Sequence, residues 1–195
     1  MSQACLTVFA GPNGSGKSTL TQKLLDTGID FGHLLDPDAI ARRINPENIR
    51  KAALEAARET IQRQRSYLRS RDSFALETTL SGKRETRLIQ DAKERGYAIT
   101  LFYIALNDPR LNIQRVAERV AQGGHNVPTE DILRRYERSM NHLPQAVFLA
   151  DHVRIYDNSG PTYQKLLAIH KKKVIFCEKS LPDWLERRMP EFRFA

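Results

Sequence analysis

Residues 11–19 read Gly11-Pro12-Asn13-Gly14-Ser15-Gly16-Lys17-Ser18-Thr19, a complete G-x-x-x-x-G-K-[ST] pattern. They follow directly on the apolar run Cys5-Leu6-Thr7-Val8-Phe9-Ala10. No other feature narrows the folds open to this chain as far, because the pattern works only where a buried strand passes through a glycine-rich turn into a helix. Gly11, Gly14 and Gly16 admit backbone conformations that a Cβ resists, so successive N–H groups can converge on a polyphosphate. A helix beginning near Gly16 directs the positive end of its dipole at the same point. Lys17 is then expected to reach the β- and γ-phosphates, and the Ser18 hydroxyl to ligate Mg²⁺. The segment predicts a nucleoside triphosphate site, with ATP and Mg²⁺ as cofactors.

The rest of the chain alternates strand and helix signals. Lys17–Asp26 reads as a helix that stops at Gly28, and Phe31–Leu35 as a short strand leading into Asp36-Pro37-Asp38. Pro37 suits the first turn of a helix continuing through Arg43. A long amphipathic helix is expected from Pro46 to about Ser70, with Ile49, Ala53, Ala57, Ile61 and Leu68 near one face. Ser73–Leu76 reads as a third strand, Lys83–Arg95 as a helix, and Tyr97–Leu106 as a strongly apolar fourth strand. Helices over Pro109–Gln122 and Thr129–Asn141 flank a Gly123-Gly124-His125 turn, and together residues 109–141 read as a helical lid. His152–Tyr156 is a fifth strand, Leu166–His170 and Lys173–Cys177 a hairpin, and Trp184 part of a C-terminal helix. The fold class is α/β: a mostly parallel sheet of five to six strands, flanked by helices, in one domain over 1–195.

At 195 residues the chain can bury a substantial core without staples. No apolar run approaches the ~18–20 residues of a membrane span. The N-terminus lacks a basic region and cleavage site and reads as a core strand, not a signal peptide. Cys5 and Cys177 sit in apolar stretches and are expected as two buried thiols in a cytoplasmic protein. The net charge of +8 raises nucleic acid as a partner. The arginines are spread over several helices, with few aromatics among them, so no stacking platform is visible. An anionic substrate in a basic cleft accounts for the charge equally well, and dedicated nucleic-acid binding is not favoured.

A phosphate loop alone does not separate kinases from switches. In open parallel sheets, ligands bind at the carboxyl ends of the strands. Asp36 and Asp38 follow the second strand, Glu77-Thr78-Thr79 the third, Asn107-Asp108 the fourth, and Asp157-Asn158-Ser159 the fifth, the last a candidate edge for the base. Asp38 is placed to act as general base toward a substrate hydroxyl, while Asp36 is either a ligand group or the N-cap of the next helix. Arg115 and Arg119 are i, i+4 neighbours facing one way, and Gly123-Gly124 could hinge them over the site. His125 is either a phosphate donor or a cap.

Gly11–Thr19, Asp36–Ala41, Glu77–Thr79, and Arg119–Pro128 with Arg134-Arg135-Tyr136 resemble, in that order, the zeta-toxin group of P-loop kinases, and most closely its short stand-alone bacterial branch. The resemblance spans about residues 5–160. It implies a nucleotide-kinase-like P-loop fold and ATP-dependent phosphorylation of a hydroxyl of UDP-N-acetylglucosamine or a similar nucleotide sugar. It also implies an antitoxin protein as partner. On this resemblance Lys17 and Ser18 bind ATP–Mg²⁺ and Asp38 is the catalytic base. Glu77 and Thr79, with Asp36, Thr78, Arg115, His125 and Arg135 around them, hold the acceptor. Arg119, together with Arg134 or Arg135, neutralises the transferring phosphoryl group. The chain departs from the better-known toxins where His125 and Asn126 replace an arginine, and it is shorter. A polynucleotide or nucleoside kinase and a P-loop ATPase switch are the alternatives. The switch wants an acidic pair after a hydrophobic strand, and Leu101–Leu106 runs instead into Asn107-Asp108.

Overall fold

Apolar runs and glycine stops divide the chain closely along the expected lines. The computed structural model describes residues 3–124 and 126–192. In order, it contains β1 (Cys5–Ala10), α1 (Lys17–Asp26), β2 (His33–Leu35), α2 (Pro37–Ile44), α3 (Ile49–Ser70), β3 (Phe74–Thr78), α4 (Lys83–Glu94) and β4 (Ala98–Ala105). There follow α5 (Pro109–Ala121), α6 (Thr129–Leu149), β5 (His152–Asp157), β6 (Gln164–His170), β7 (Lys173–Cys177), α7 (Asp183–Glu186) and a 3-10 turn over Pro190–Phe192.

The strands join one sheet in the order β2-β3-β1-β4-β5-β6-β7. The first five run parallel, and β6 and β7 add antiparallel at one edge. The sheet therefore has seven strands, not the expected five to six, because both arms of the C-terminal hairpin join it. The hairpin turns through Lys171 and Lys172 with φ of 47° and 68°. Two left-handed residues suit the twist of a tight hairpin, and here two lysines adopt them where glycine or asparagine would be easier.

Side-chain alternation splits the sheet into two faces. Leu6, Val8 and Ala10 of β1 and Ile99, Leu101, Tyr103 and Ala105 of β4 point into a large core shared with α2, α3, α4, α6 and α7. On the other face Phe9, Ala75, Phe102 and Ile104 pack against Leu20 of α1. Phe9 and Phe102, paired in register, stack with centroids 5.0 Å apart. That second core is much smaller.

Three expectations need correction. The buried face of α3 is Ala52, Ala56, Thr60, Gln64 and Leu68, one residue before the expected stripe over most of its length. Ile49, in the first turn after the Asn48 cap, is only partly buried and packs against the same core. Helix α6 does not end at Asn141. Its apolar face continues through Leu143, Ala146, Val147 and Leu149, and Pro144 is accommodated inside it. Within 129–141 the same helix also buries Ile132, Tyr136, Ser139 and Met140. Finally, Cys5 is exposed at the start of β1 and Cys177 only partly buried, and both are free thiols.

Candidate active site

The loop between β1 and α1 is shaped by contacts that exclude side chains. Gly11 has φ 142°, and a Cβ there would stand 1.9 Å from the Ile104 carbonyl oxygen of β4. A Cβ on Gly14 (φ 73°) would meet the Asn112 carbonyl of α5 at 2.8 Å. Three side chains hold the loop's carbonyls from outside. Asn112 Nδ2 donates to Asn13 O (2.6 Å), Asn158 Nδ2 to Ser15 O (2.9 Å) and Tyr163 Oη to Gly16 O (2.8 Å). The first-turn N–H groups of α1 have no carbonyl partner within the helix, so the loop offers donors inward. Lys17 Nζ donates to the carbonyls of Gly11 and Pro12, each at 2.9 Å. Burial lowers its pKa to about 8, against the pull of Glu77 and Asp38 and with some help from Arg119.

Beyond the loop opens a cleft of about 770 Å³, within the range of small-molecule sites. Asn13, Gly14, Gly16, Lys17, Ser18 and Thr19 line one part of it, and Asp36, Asp38, Glu77, Thr78 and Thr79 another. Asp36 caps α2, its Oδ1 accepting from the Asp38 N–H at 2.9 Å. That bond fixes Asp38 in the first turn of α2, at the cleft wall. Glu77, next to last in β3, is nearly buried, and its Oε2 accepts from Ser18 Oγ at 2.6 Å. Burial pushes its carboxyl above the ordinary range, partly countered by the Ser18 bond. A hydroxyl and a carboxylate in contact suit a hard divalent cation that keeps several waters, as Mg²⁺ does. Among the described residues no cluster of three or more acidic, histidine or cysteine side chains forms a closed metal cage.

The next turn is strained. Buried Leu80 has φ 53°, its N–H donates to Thr78 Oγ1 at 3.0 Å, and Thr79 Oγ1 meets Ser81 Oγ at 2.8 Å. His142 Nδ1 of α6 lies 3.1 Å from the Leu80 carbonyl oxygen.

Arg115, Arg119 and Arg135 line the cleft, and Arg115 Nη2 donates to Asn158 O at 2.8 Å. Arg134 does not line it and is held by Asp131 at 2.5 Å, half exposed. His125 lies outside the described residues. Gly11, Pro12 and Ser15 shape the loop from beneath it. Asp108 caps α5 and pairs with Arg110, away from the cleft. Asp157, expected at the edge of a base, is turned inward, its Oδ2 accepting from Trp184 Nε1 at 3.1 Å. The sequence reading missed Lys23, Arg84, Glu85 and Tyr163, which also line the cleft, and the buried Asn112. Arg84 and Glu85 sit in the first turn of α4, directly after its N-cap Gly82, and that position was the available signal.

Comparison with known proteins agrees with this architecture. The Zeta toxin family model matches residues 2–166. An uncharacterized protein of Haemophilus influenzae is 36% identical over 128 residues, 66% of this chain and 89% of that protein. Among solved structures, the complex of AvrRxo1-ORF1 and ORF2 with ATP superposes with TM-score 0.70 at 15% identity, over 98% of this chain and 64% of that one. The chain thus spans just under two thirds of that protein. The PezAT toxin–antitoxin structure of Streptococcus pneumoniae gives TM-score 0.61 at 15% identity, over 98% of this chain and 88% of that one. At that identity both likenesses speak for the fold alone.

Proposed function

The chain belongs to the zeta-toxin family, and from that membership we propose that it is an ATP-dependent kinase whose acceptor is a nucleotide sugar such as UDP-N-acetylglucosamine. The observation that carries this reading is a single cleft walled by both the phosphate loop and a further set of carboxylates and arginines. A nucleotide hydrolase needs the first set; a second reactant gives the other its use.

In the proposed reaction the loop N–H groups and the α1 dipole bind the β- and γ-phosphates, and Lys17 leaves its carbonyls to join them. Ser18 and Glu77 would hold Mg²⁺, which neutralises phosphate charge when bound. Asp38 accepts the proton of the acceptor hydroxyl. The freed oxygen forms the new P–O bond as the bond from the γ-phosphorus to the β–γ bridging oxygen breaks, and ADP leaves. Arg119, with Arg115 and Arg135, meets the charge on the transferring group, where an arginine can contribute roughly 10³-fold or more. Arg134, held by Asp131 outside the cleft, has no part in this scheme. Membership of the zeta-toxin family extends the proposal to an antitoxin protein as partner.

The test is incubation with γ-labelled ATP and a panel of nucleotide sugars, nucleosides and oligonucleotides. Asp38→Asn should lower transfer about 10²–10⁴-fold while ATP affinity stays near wild type. Label appearing only as free phosphate across the panel, or equal loss of ATP binding in the variant, would reject the assignment.

A further inference from the structure

Among the cleft residues without a role in the scheme above are two charged neighbours. Arg84 and Glu85 occupy the first turn of α4, just past the carboxyl end of β3, and both line the cleft. The Glu85 side chain is only 17% exposed, yet its Oε2 is buried without a hydrogen-bond partner. Arg84 is 48% exposed, and its one ion pair among the described residues is with Glu85 Oε1 at 3.9 Å.

A purely structural role accounts poorly for this arrangement. Consecutive residues on a helix do not face each other, and one long approach between partly exposed charges contributes little. Glu85 stands three residues after the N-cap Gly82, where a capping-box carboxylate would accept the cap's N–H. Its Oε2 lies 2.9 Å from where a Cβ on Gly82 would be, and still accepts nothing. The Arg84 guanidinium keeps its donors, and Glu85, with Oε2 enclosed beside Gly82, keeps Oε1 on the Arg84 side; both residues line the cleft.

Charge adds a second argument. The neighbouring cleft wall carries Asp36, Asp38 and Glu77. An anionic acceptor arriving there needs a cation beside these carboxylates; Lys17, Arg115, Arg119 and Arg135 serve the transferring phosphate in the scheme above, which leaves Arg84 and Lys23 among the cations lining the cleft. We propose that Arg84 and Glu85 form a recognition fork for the second reactant. Arg84 takes its phosphate or diphosphate, and Glu85 accepts from a hydroxyl or amide N–H of the same molecule. The fork selects molecules that carry both groups. A neutral sugar forfeits the Arg84 contact and a bare phosphate forfeits the Glu85 contact. This deepens the kinase reading and rests on it for the molecule's role as acceptor.

The experiment is calorimetric titration of UDP-N-acetylglucosamine, and separately of N-acetylglucosamine, into protein saturated with a non-hydrolysable ATP analogue. Arg84→Ala should weaken the nucleotide sugar about tenfold, in keeping with loss of a charged hydrogen bond, and Arg84→Lys should recover part of it. Glu85→Gln should weaken it several-fold. Binding of the neutral sugar should not respond to Arg84→Ala. Thermal midpoints and affinity for the ATP analogue, measured on the same samples, should match wild type. The proposal is overturned if loaded wild type takes up no nucleotide sugar, if both variants bind it as wild type does, or if affinity for the ATP analogue falls in parallel. Phosphate transfer is assayed alongside. Intact, fork-dependent binding without transfer would reject the kinase reading and leave the fork standing.

Discussion

The Lys17 ammonium rests on two carbonyls of its own loop, and burial lowers its pKa from 10.5 to about 8. The folded chain therefore releases this proton at lower pH than the unfolded chain does. Between those two values the unfolded state binds more protons, and stability rises with pH. Below about 8 the penalty for the buried charge is fully present. Lys17→Met should abolish ATP binding and also remove that alkaline rise, roughly 3 kcal/mol. Denaturant melts of both proteins from pH 7 to 11 would check it, and an unchanged slope in the variant would refute the assignment. The same conflict fits the proposed function, because a triphosphate offers the ammonium a better partner than two carbonyls.

Elements were legible where one periodicity ruled. The order of strand and helix through β5 follows from apolar runs and glycine stops, and α1 has its expected bounds. The buried stripe of α3 was misjudged because its core positions include Thr60 and Gln64, polar residues that a hydrophobic pattern cannot register. The β6–β7 hairpin was expected, but its joining the main sheet depends on pairing that no local pattern encodes. Its turn tests the cost of left-handed lysines. Replacing Lys171-Lys172 by Asn-Gly should stabilise the protein by about 1–2 kcal/mol, since these residues enter that conformation far more easily. A thermal midpoint at or below wild type would mean that the lysines are held by more than the turn.

Across the whole molecule the phosphate loop is legible and its supports are not. The bonds from Asn112, Asn158 and Tyr163 to the loop span 99, 143 and 147 residues of sequence. Only the folded chain brings them together. Trp184 extends the same chain of support by holding Asp157, next to Asn158, and by packing near Tyr103 with centroids 6.2 Å apart. Trp184→Ala should cost about 3–5 kcal/mol and weaken ATP binding. Trp184→Phe should restore most of the stability and leave the ATP defect, as read by denaturant unfolding and nucleotide titration. Equal recovery of both would show that Asp157 needs no holding. The unequal cores behind the sheet have a consequence of their own. Among the described residues, the cluster behind α1 on the side of the nucleotide loop is a handful of aromatic and aliphatic groups, whereas the cluster on the opposite face is several times larger. Over generations the crowded side can absorb drift one methyl at a time, while the sparse side has almost no spare parts, so inherited errors there reach chemistry before they reach solubility.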